Sequence, residues 1–317
     1  MTGAQRIPAA VVYDDTFLLH DHPGHPENAA RLRAVTERIA ADPELRALPL
    51  SPAPEADLDL LRSVHTDRHI LGIERVAESG GGWLDGDTYC TARSYDVALR
   101  AAGAAMRATD MVMSGSARSV FGLVRPPGHH ATPDHAMGFC LFNNAAVAAR
   151  AAQRLHGAER VAIVDIDVHH GNGTQDVFYE DPSVLYCSLH QYPLYPGTGP
   201  AGETGAGRGV GTTVNVPVPP GTDGERWLHA FEAQVVPALR EHRPDLIVVS
   251  AGYDAHAADP LAELRLSTDT YATVSSRIAA LAGELCAGRT VWLLEGGYDL
   301  DALAASVGAS LQALEAA

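Results

Sequence analysis

Three residues with metal-binding side chains occupy alternate positions at the end of an apolar run. Asp165, Asp167 and His169 follow the apolar residues 161–164 and are separated from one another by single apolar residues. Alternate side chains of a β-strand share a face, so this spacing predicts that two carboxylates and an imidazole lie together. Carboxylates are costly to bury without a partner. On this stretch alone, either a bound metal cation or a buried Asp–His ion pair would satisfy them.

Further polar residues follow other predicted strands in the same way. Residues 125–130 (Arg-Pro-Pro-Gly-His-His), Asp254 and Tyr298 each come directly after an apolar run. Ligand sites in open α/β sheets lie beyond the carboxyl ends of the strands. We therefore expect these residues to converge with Asp165 and Asp167 in one crevice.

The elements that must position these residues alternate between strand and helix along the chain. Continuous apolar strands that alternate with helices are typical of a parallel sheet covered on both faces, and no linker or repeat divides residues 1–317, so we predict one α/β domain. Predicted strands are 9–13, 119–124, from 161 to the glycines at 171, 184–189, 212–218, 246–250 and 290–294; predicted helices are 28–40, 58–77, 94–113, 143–156, 227–240, 269–286 and 300–316. Glycines 80–82 and the glycine-rich residues 196–211 are predicted as loops, and the three histidines of residues 20–25 as rim residues.

Composition excludes several classes of function. The formal net charge is −16, which disfavours a nucleic-acid partner because such surfaces are basic. The four cysteines form no CxxC pair, and no apolar run approaches the roughly 18 residues that span a bilayer. The first residues lack the apolar segment of a signal peptide. We expect a cytoplasmic protein without a membrane partner; a homo-oligomer is compatible with the sequence.

The chemistry that these residues favour is the addition of water to a carbonyl. Asp167, His169 and Asp254 have the ligand count of a catalytic zinc site with one open position. A neutral histidine of the 129–130 pair could accept a proton from water, and Tyr298 could donate a hydrogen bond to an oxyanion. Each feature has an ordinary alternative, since a strand-end Asp often caps a helix. Their joint placement after successive strands favours the functional interpretation.

The motifs resemble those of the zinc-dependent histone deacetylases, in particular the class II type with the bacterial histone deacetylase-like and acetylpolyamine amidohydrolases. The similarity runs from about Tyr13 to the C-terminus. It is carried by Arg125-Pro-Pro-Gly-His-His-Ala131, Gly138-Phe-Cys-Leu-Phe-Asn-Asn144, residues 165–175, Ser188-Leu-His190, Ser250-Ala-Gly-Tyr-Asp254 and Leu294-Glu-Gly-Gly-Tyr298.

The resemblance implies an arginase–deacetylase fold with an eight-stranded parallel sheet. It implies that Asp167, His169 and Asp254 bind one zinc ion, and that His130 is the general base. His129, paired with Asp165, would assist electrostatically, and Tyr298 would polarise the acyl carbonyl. One or two structural potassium ions are also implied, one of them near Asp165, Asp167, His169, Ser188 and Leu189, mostly through backbone oxygens. The walls of an acyl-lysine tunnel would include Gly138, Phe139, Tyr195 and Leu261.

Four positions distinguish between branches of the family that this sequence resembles. Asn172 matches class II enzymes, where class I enzymes have Asp, and Tyr298 stands where the weakly active class IIa branch has His. Leu261 matches lysine deacetylases, where polyamine-selective relatives have Glu. Tyr195 replaces the more usual Phe of the tunnel wall.

These features predict removal of acetyl or other acyl groups from primary amines, above all from N6-acetyl-lysine in proteins or peptides. Acetylpolyamines and small metabolites are alternative substrates. A non-catalytic acyl-amine binding protein and a two-manganese, arginase-like ureohydrolase are alternatives from other classes; the run Asp254-Ala-His-Ala-Ala-Asp259 is faintly similar to the latter.

Overall fold

The computed structural model describes residues 7–317, which are organised around one parallel sheet of eight strands. The strands of the sheet are β1 Ile7–Val12, β2 Leu50–Ser51, β5 Ala117–Gly122, β6 Val161–Asp165, β7 Val184–Gln191, β8 Thr213–Val218, β9 Leu246–Ala251 and β10 Thr290–Leu294. Their order in the sheet is β2-β1-β5-β10-β9-β6-β7-β8. Strands β3 Gly81–Trp83 and β4 Tyr89–Thr91 form a separate antiparallel pair. The predicted eight-stranded α/β fold is confirmed.

Helices cover both faces of this sheet because the central strands are apolar on both sides and must be buried. All residues of β6, β9 and β10 are buried. The α-helices are α1 Ala30–Ala41, α2 Pro43–Arg46, α3 Leu58–Leu61, α4 Asp67–Glu78, α5 Ser94–Met113, α6 Asn144–His156, α7 Asn172–Phe178, α8 Gly224–Ala230, α9 Val236–His242, α10 Thr268–Cys286 and α11 Leu300–Glu315. Helices α5 and α6 pack on one face, and α1, α10 and α11 on the other.

Several local predictions were wrong. The helix predicted over 58–77 is two helices, because the side chain of Thr66 caps a new helix by accepting a hydrogen bond from His69 N. The glycines at 80–82 were predicted as a loop, but Gly81 and Gly82 belong to strand β3. Only glycine fits at position 81, because a Cβ there would lie 2.5 Å from the carbonyl oxygen of Cys90 on β4. The helix predicted over 227–240 contains a π-helical turn, Phe231–Val235.

The strand predicted from 161 to the glycines at 171 ends at Asp165, so strand alternation does not explain Asp167 and His169. At residues 167–169, side-chain carboxylates accept the backbone N–H hydrogen bonds. Asp167 N donates to Oδ1 of Asp165 at 3.2 Å, and Val168 N donates to Oδ1 of Asp254 at 2.9 Å. The side chains of Asp167 and His169 therefore lie on a turn whose backbone is held by hydrogen bonds to the carboxylates of Asp165 and Asp254.

No helix within residues 7–317 is both long and apolar enough to cross a membrane.

Candidate active site

The carboxyl ends of β6 and β9, which are neighbours in the sheet, bring three potential metal ligands together. Asp167 and His169 follow β6, and Asp254 follows β9. One ligand atom from each residue lies within 4.8 Å of the other two. Nδ1 of His169 is 3.0 Å from Oδ1 of Asp167 and 3.2 Å from Oδ2 of Asp254. The predicted zinc ligands thus form one cluster.

The surroundings of this cluster fit a bound cation. Burial, together with the carboxylate of Asp167, raises the pKa of Asp254 to about 7. Oδ2 of Asp254 is buried, and its contact with Nδ1 of His169 lacks hydrogen-bond geometry. A Cβ at Gly252 would lie 2.1 Å from Oδ2 of Asp167, and one at Gly296 would lie 2.0 Å from Oδ2 of Asp254. Two neighbouring buried carboxylates need positive charge close by, and the glycines leave the space for it.

Two adjacent histidines lie beside this cluster in different electrostatic environments. Nδ1 of His129 is 3.0 Å from Oδ2 of Asp165, whereas Nδ1 of His130 is 2.8 Å from Oδ1 of Asn172. Burial, reinforced by the charges of His129 and His169, lowers the pKa of His130 well below its usual value. His130 is therefore neutral, with its Nδ1 proton directed to Asn172 and Nε2 free to accept a proton.

Tyr298 follows β10 and lines the same cavity as His130. Burial raises the pKa of Tyr298 well above its usual value, so its hydroxyl keeps the proton and acts as a hydrogen-bond donor. The guanidinium carbon of Arg31 lies 5.0 Å from the centre of the Tyr298 ring, and Nε of Arg31 donates to the carbonyl oxygen of Gly297 at 2.7 Å. The buried guanidinium of Arg31 therefore packs against the face of the phenol ring.

A cavity of about 210 Å³ connects these groups to the surface. Phe139 and Tyr195 contribute aromatic walls, and the ring of Tyr195 stands edge-on to His130 with centroids 5.1 Å apart. A Cβ at Gly138 would lie 2.4 Å from Cδ2 of His130, so only glycine fits there. The residues lining the cavity are Asp87, Pro127, His129, His130, Gly138, Phe139, His169, Leu194, Tyr195, Leu261, Gly296 and Tyr298.

Of the residues predicted to bind potassium, Asp167 and His169 belong to the metal cluster itself, whereas the other three lie on β6 and β7. Asp165 pairs with Ser188 in the register of these strands, and Leu189 follows Ser188. Oδ2 of Asp165 also accepts a hydrogen bond from the Tyr186 hydroxyl at 3.0 Å. The hydroxyl of Ser188 is 2.9 Å from Nδ1 of His190.

The loop at residues 20–27 differs from its predicted position at the rim, because two of its three histidines are buried. His20 stacks on Tyr89 with ring centroids 4.3 Å apart. Nε2 of His25, which is also buried, donates a hydrogen bond to the carbonyl oxygen of Asp87 at 2.9 Å. The loop ends in Glu27, which is fully buried and ion-paired with Arg31 and Arg125.

Sequence reasoning missed several residues that organise the site. Asp87 and Leu194 line the cavity, but each lies in a segment without a recognisable pattern. Oε2 of Glu295 accepts hydrogen bonds from the backbone N–H groups of Gly128, at 2.7 Å, and His129, at 3.2 Å. The only signal for Glu295 was a carboxylate directly after an apolar strand, the same signal that identified Asp165.

A parallel sheet with this buried metal-ligand cluster, neutral base and phenol at its carboxyl edge defines a metal-dependent hydrolase. Comparison with known proteins gives the family. Residues 25–314 match the family model described as "Histone deacetylase domain". The chloroplastic histone deacetylase 14 of Arabidopsis thaliana is 42% identical over 98% of this chain and 78% of its own length. The histone deacetylase-like amidohydrolase of Pseudomonas aeruginosa is 42% identical over 87% of this chain and 72% of its own length.

Solved structures agree with this result. The crystal structure of the HDA15 HD domain superposes with a TM-score of 0.93 at 39% identity, covering 97% of this chain and 88% of that one. The chain therefore belongs to the histone deacetylase family, as its motifs predicted, and is a hydrolytic deacetylase that acts on an acetylated substrate. Members of this family depend on zinc, and the described residues include a cluster suited to it.

Proposed function

We propose that the protein hydrolyses the amide bond of N6-acetyl-lysine in proteins or peptides. The observation that carries the proposal is the size and lining of the cavity. It has a volume of about 210 Å³, has aromatic walls at Phe139 and Tyr195, has the apolar Leu261 among its lining residues, and is also lined by His130 and Tyr298. An extended aliphatic side chain that ends in a neutral amide fits such a lining better than a charged group does.

Each of the site residues would have a separate role in the reaction. Asp167, His169 and Asp254 would hold zinc, which supplies Lewis acidity to activate water and polarise the carbonyl. Nε2 of His130 would accept the proton and later donate it to the leaving amine. His129, charged through Asp165, would stabilise negative charge near the reacting atoms, and the hydroxyl of Tyr298 would donate a hydrogen bond to the acyl oxygen. We also propose a structural potassium ion bound by Asp165, Asp167, His169, Ser188 and Leu189, mostly through backbone oxygens.

A second candidate, hydrolysis of acetylpolyamines, is favoured by one observation. The carboxyl-bearing residue Asp87 lines the same cavity, and burial, together with the adjacent Asp85, raises its pKa. A distal ammonium group of a polyamine could pair with this carboxylate, although the apolar Leu261 lies in the same lining.

A side-by-side rate measurement tests both candidates. Purified protein is expected to hold about one zinc ion per chain and to cleave an acetyl-lysine peptide faster than N-acetylputrescine or longer acyl-lysines. The His130→Ala variant should keep its zinc and lose nearly all turnover. Faster cleavage of the acetylpolyamine by wild type, abolished in Asp87→Asn, would replace the first candidate by the second. Zinc binding without hydrolysis of any substrate would revive the binding-protein alternative.

A further inference from the structure

One buried carboxylate in the motif that is faintly similar to arginases has no part in the mechanism above. Asp259 lies five residues beyond Asp254 in the segment after β9, and only 8% of it is exposed. Oδ2 of Asp259 accepts a hydrogen bond from the backbone N–H of Tyr298 at 2.7 Å. Oδ1 accepts one from the backbone N–H of Leu261 at 2.9 Å. Both oxygens are therefore engaged by backbone donors, and neither belongs to the metal-ligand cluster.

These two hydrogen bonds join two walls of the catalytic cavity. Leu261 and Tyr298 both line it, on segments that follow different strands. A single side chain thus connects a rim residue with the residue whose hydroxyl would polarise the substrate carbonyl. Hydrogen bonds to a charged acceptor are roughly twice as strong as those between neutral groups.

The hydrogen bond from Tyr298 N to Asp259 anchors a stretch of backbone that would otherwise be flexible. Two glycines precede this residue, and Gly297 has a φ of 121°, which only glycine adopts readily. The flexible pair allows close approach to Asp254 but does little to fix the direction of the next side chain. Arg31 holds the carbonyl oxygen of Gly297, and Asp259 holds the N–H of Tyr298 itself. These contacts fix the peptide unit on which the phenol is mounted.

We propose that Asp259 is a positioning residue that acts through Tyr298 and couples its placement to the rim at Leu261. The proposal rests on the proposed function, in which the Tyr298 hydroxyl donates to the acyl oxygen. An error of about 1 Å in the placement of a catalytic group can cost on the order of 100-fold in rate. Loss of this anchor should therefore lower kcat much more than it raises KM.

The test is a double-mutant cycle between Asp259→Asn and Tyr298→Phe. Asn keeps one acceptor oxygen and places an NH₂ group where the other stood, so at least one backbone N–H loses its partner. A trifluoroacetyl-lysine peptide serves as substrate because its more electrophilic carbonyl keeps slow variants measurable. We expect Asp259→Asn to lower kcat about tenfold or more in the wild-type background and less than about threefold in the Tyr298→Phe background, at unchanged zinc content.

A matched control is available at the opposite edge of the sheet. Asp245 immediately precedes β9, and its Oδ2 accepts hydrogen bonds from the backbone N–H groups of Glu159 and Arg160 at 2.9 and 3.0 Å. The Asp245→Asn substitution removes the same kind of anchor far from the cavity and should leave kcat within about twofold. Should Asp259→Asn fail to fold, Asp259→Glu, which keeps both oxygens on a longer arm, enters the same cycle.

The outcomes separate this inference from the proposed function. Equal losses of kcat from the Asp259 substitution in both backgrounds, or a loss no larger than that of Asp245→Asn, would overturn the positioning role. Wild-type turnover in Tyr298→Phe would instead refute the role of the tyrosine in the proposed function.

Discussion

The two consecutive histidines of the site differ in the group that each one contacts. Nδ1 of His129 lies 3.0 Å from a carboxylate oxygen of Asp165, and Nδ1 of His130 lies 2.8 Å from the amide oxygen of Asn172. Although burial opposes it, Asp165 and Asp167 raise the pKa of His129 well above its usual value. His130 has no carboxylate as a direct hydrogen-bond partner and is neutral. One imidazole is therefore charged and its neighbour is neutral, although their ring centroids are only 4.0 Å apart.

The first prediction concerns this asymmetry. In Asn172→Asp, a carboxylate replaces the amide beside Nδ1 of His130, and an opposite charge at this distance raises a histidine pKa by about 1–3 units. A base with a higher pKa is protonated, and so inactive, up to a higher pH. The acid limb of the pH–kcat/KM profile should therefore move to higher pH by about one unit or more. An acid limb at the wild-type position would show that His130 is not the base that this limb reports.

The second prediction concerns the metal cluster. Asp254→Asn removes one of two neighbouring carboxylates and a ligand, so zinc content measured by elemental analysis should fall from about one to below about 0.1 per chain. In the metal-free wild type the two carboxylates repel, so at pH 8 with chelator the variant should unfold at the same temperature or a higher one. Added zinc should raise the unfolding temperature of wild type alone. A similar zinc-dependent rise in the variant would contradict the ligand assignment.

The third prediction concerns substrate choice at the rim. Leu261 lines the cavity and is 37% exposed. Leu261→Glu would place a carboxylate where it can pair with a distal ammonium group. The ratio of kcat/KM for N-acetylputrescine to that for an acetyl-lysine peptide should rise about tenfold, which corresponds to about 1.4 kcal/mol. Leu261→Gln is the control, because glutamine has nearly the same shape as glutamate but no charge. An equal rise of the kcat/KM ratio in that variant would exclude an electrostatic cause.

The fourth prediction concerns acid stability away from the metal cluster. Nδ1 of His65 is 3.0 Å from the carbonyl oxygen of Thr132, and its Nε2 accepts a hydrogen bond from Asn143 N at 2.8 Å. Burial lowers the pKa of His65 to about 3, against about 6.5 in an unfolded chain. Between these values the unfolded chain binds a proton that the folded chain excludes, so stability falls as pH falls below about 6.5.

This histidine should therefore contribute to the pH dependence of unfolding. From pH 7.5 to 5.5, the free energy of unfolding of His65→Gln, measured with urea, should decrease by about 1 kcal/mol less than that of wild type. At pH 7.5 the variant should be less stable than wild type, because Gln does not reproduce both hydrogen bonds. His135→Gln, at a histidine whose side chain is 64% exposed, is the control. A decrease in His65→Gln as large as in wild type would refute the assignment.

The sequence by itself determined the α/β class and most helix and strand positions, because apolar strands and amphipathic helices are local patterns. The helix Ser94–Met113 and the strand Thr290–Leu294 agree with their predicted bounds. It also determined that polar residues follow the strands, and since carboxyl ends of parallel strands share one edge, it predicted that Asp167, His169, Asp254, His130 and Tyr298 meet. The strand alternation invoked for Asp167 and His169 was wrong, yet both residues reach the cluster from a turn.

Only the tertiary structure decided which distant residues hold these groups in place. The backbone contacts of Arg31 with Gly297, of Glu295 with Gly128, and of Asp259 with Tyr298 join segments 39 to 266 residues apart. A carboxylate that accepts from a backbone N–H, or a guanidinium that donates to a backbone C=O, contacts a main-chain group that all residues carry, apart from the N–H that proline lacks. Such a contact depends on where the partner backbone lies in space and not on the type of the partner residue. The partner residue therefore cannot be identified from the sequence pattern, and the groups that anchor Tyr298 and the two histidines are found only in the folded structure.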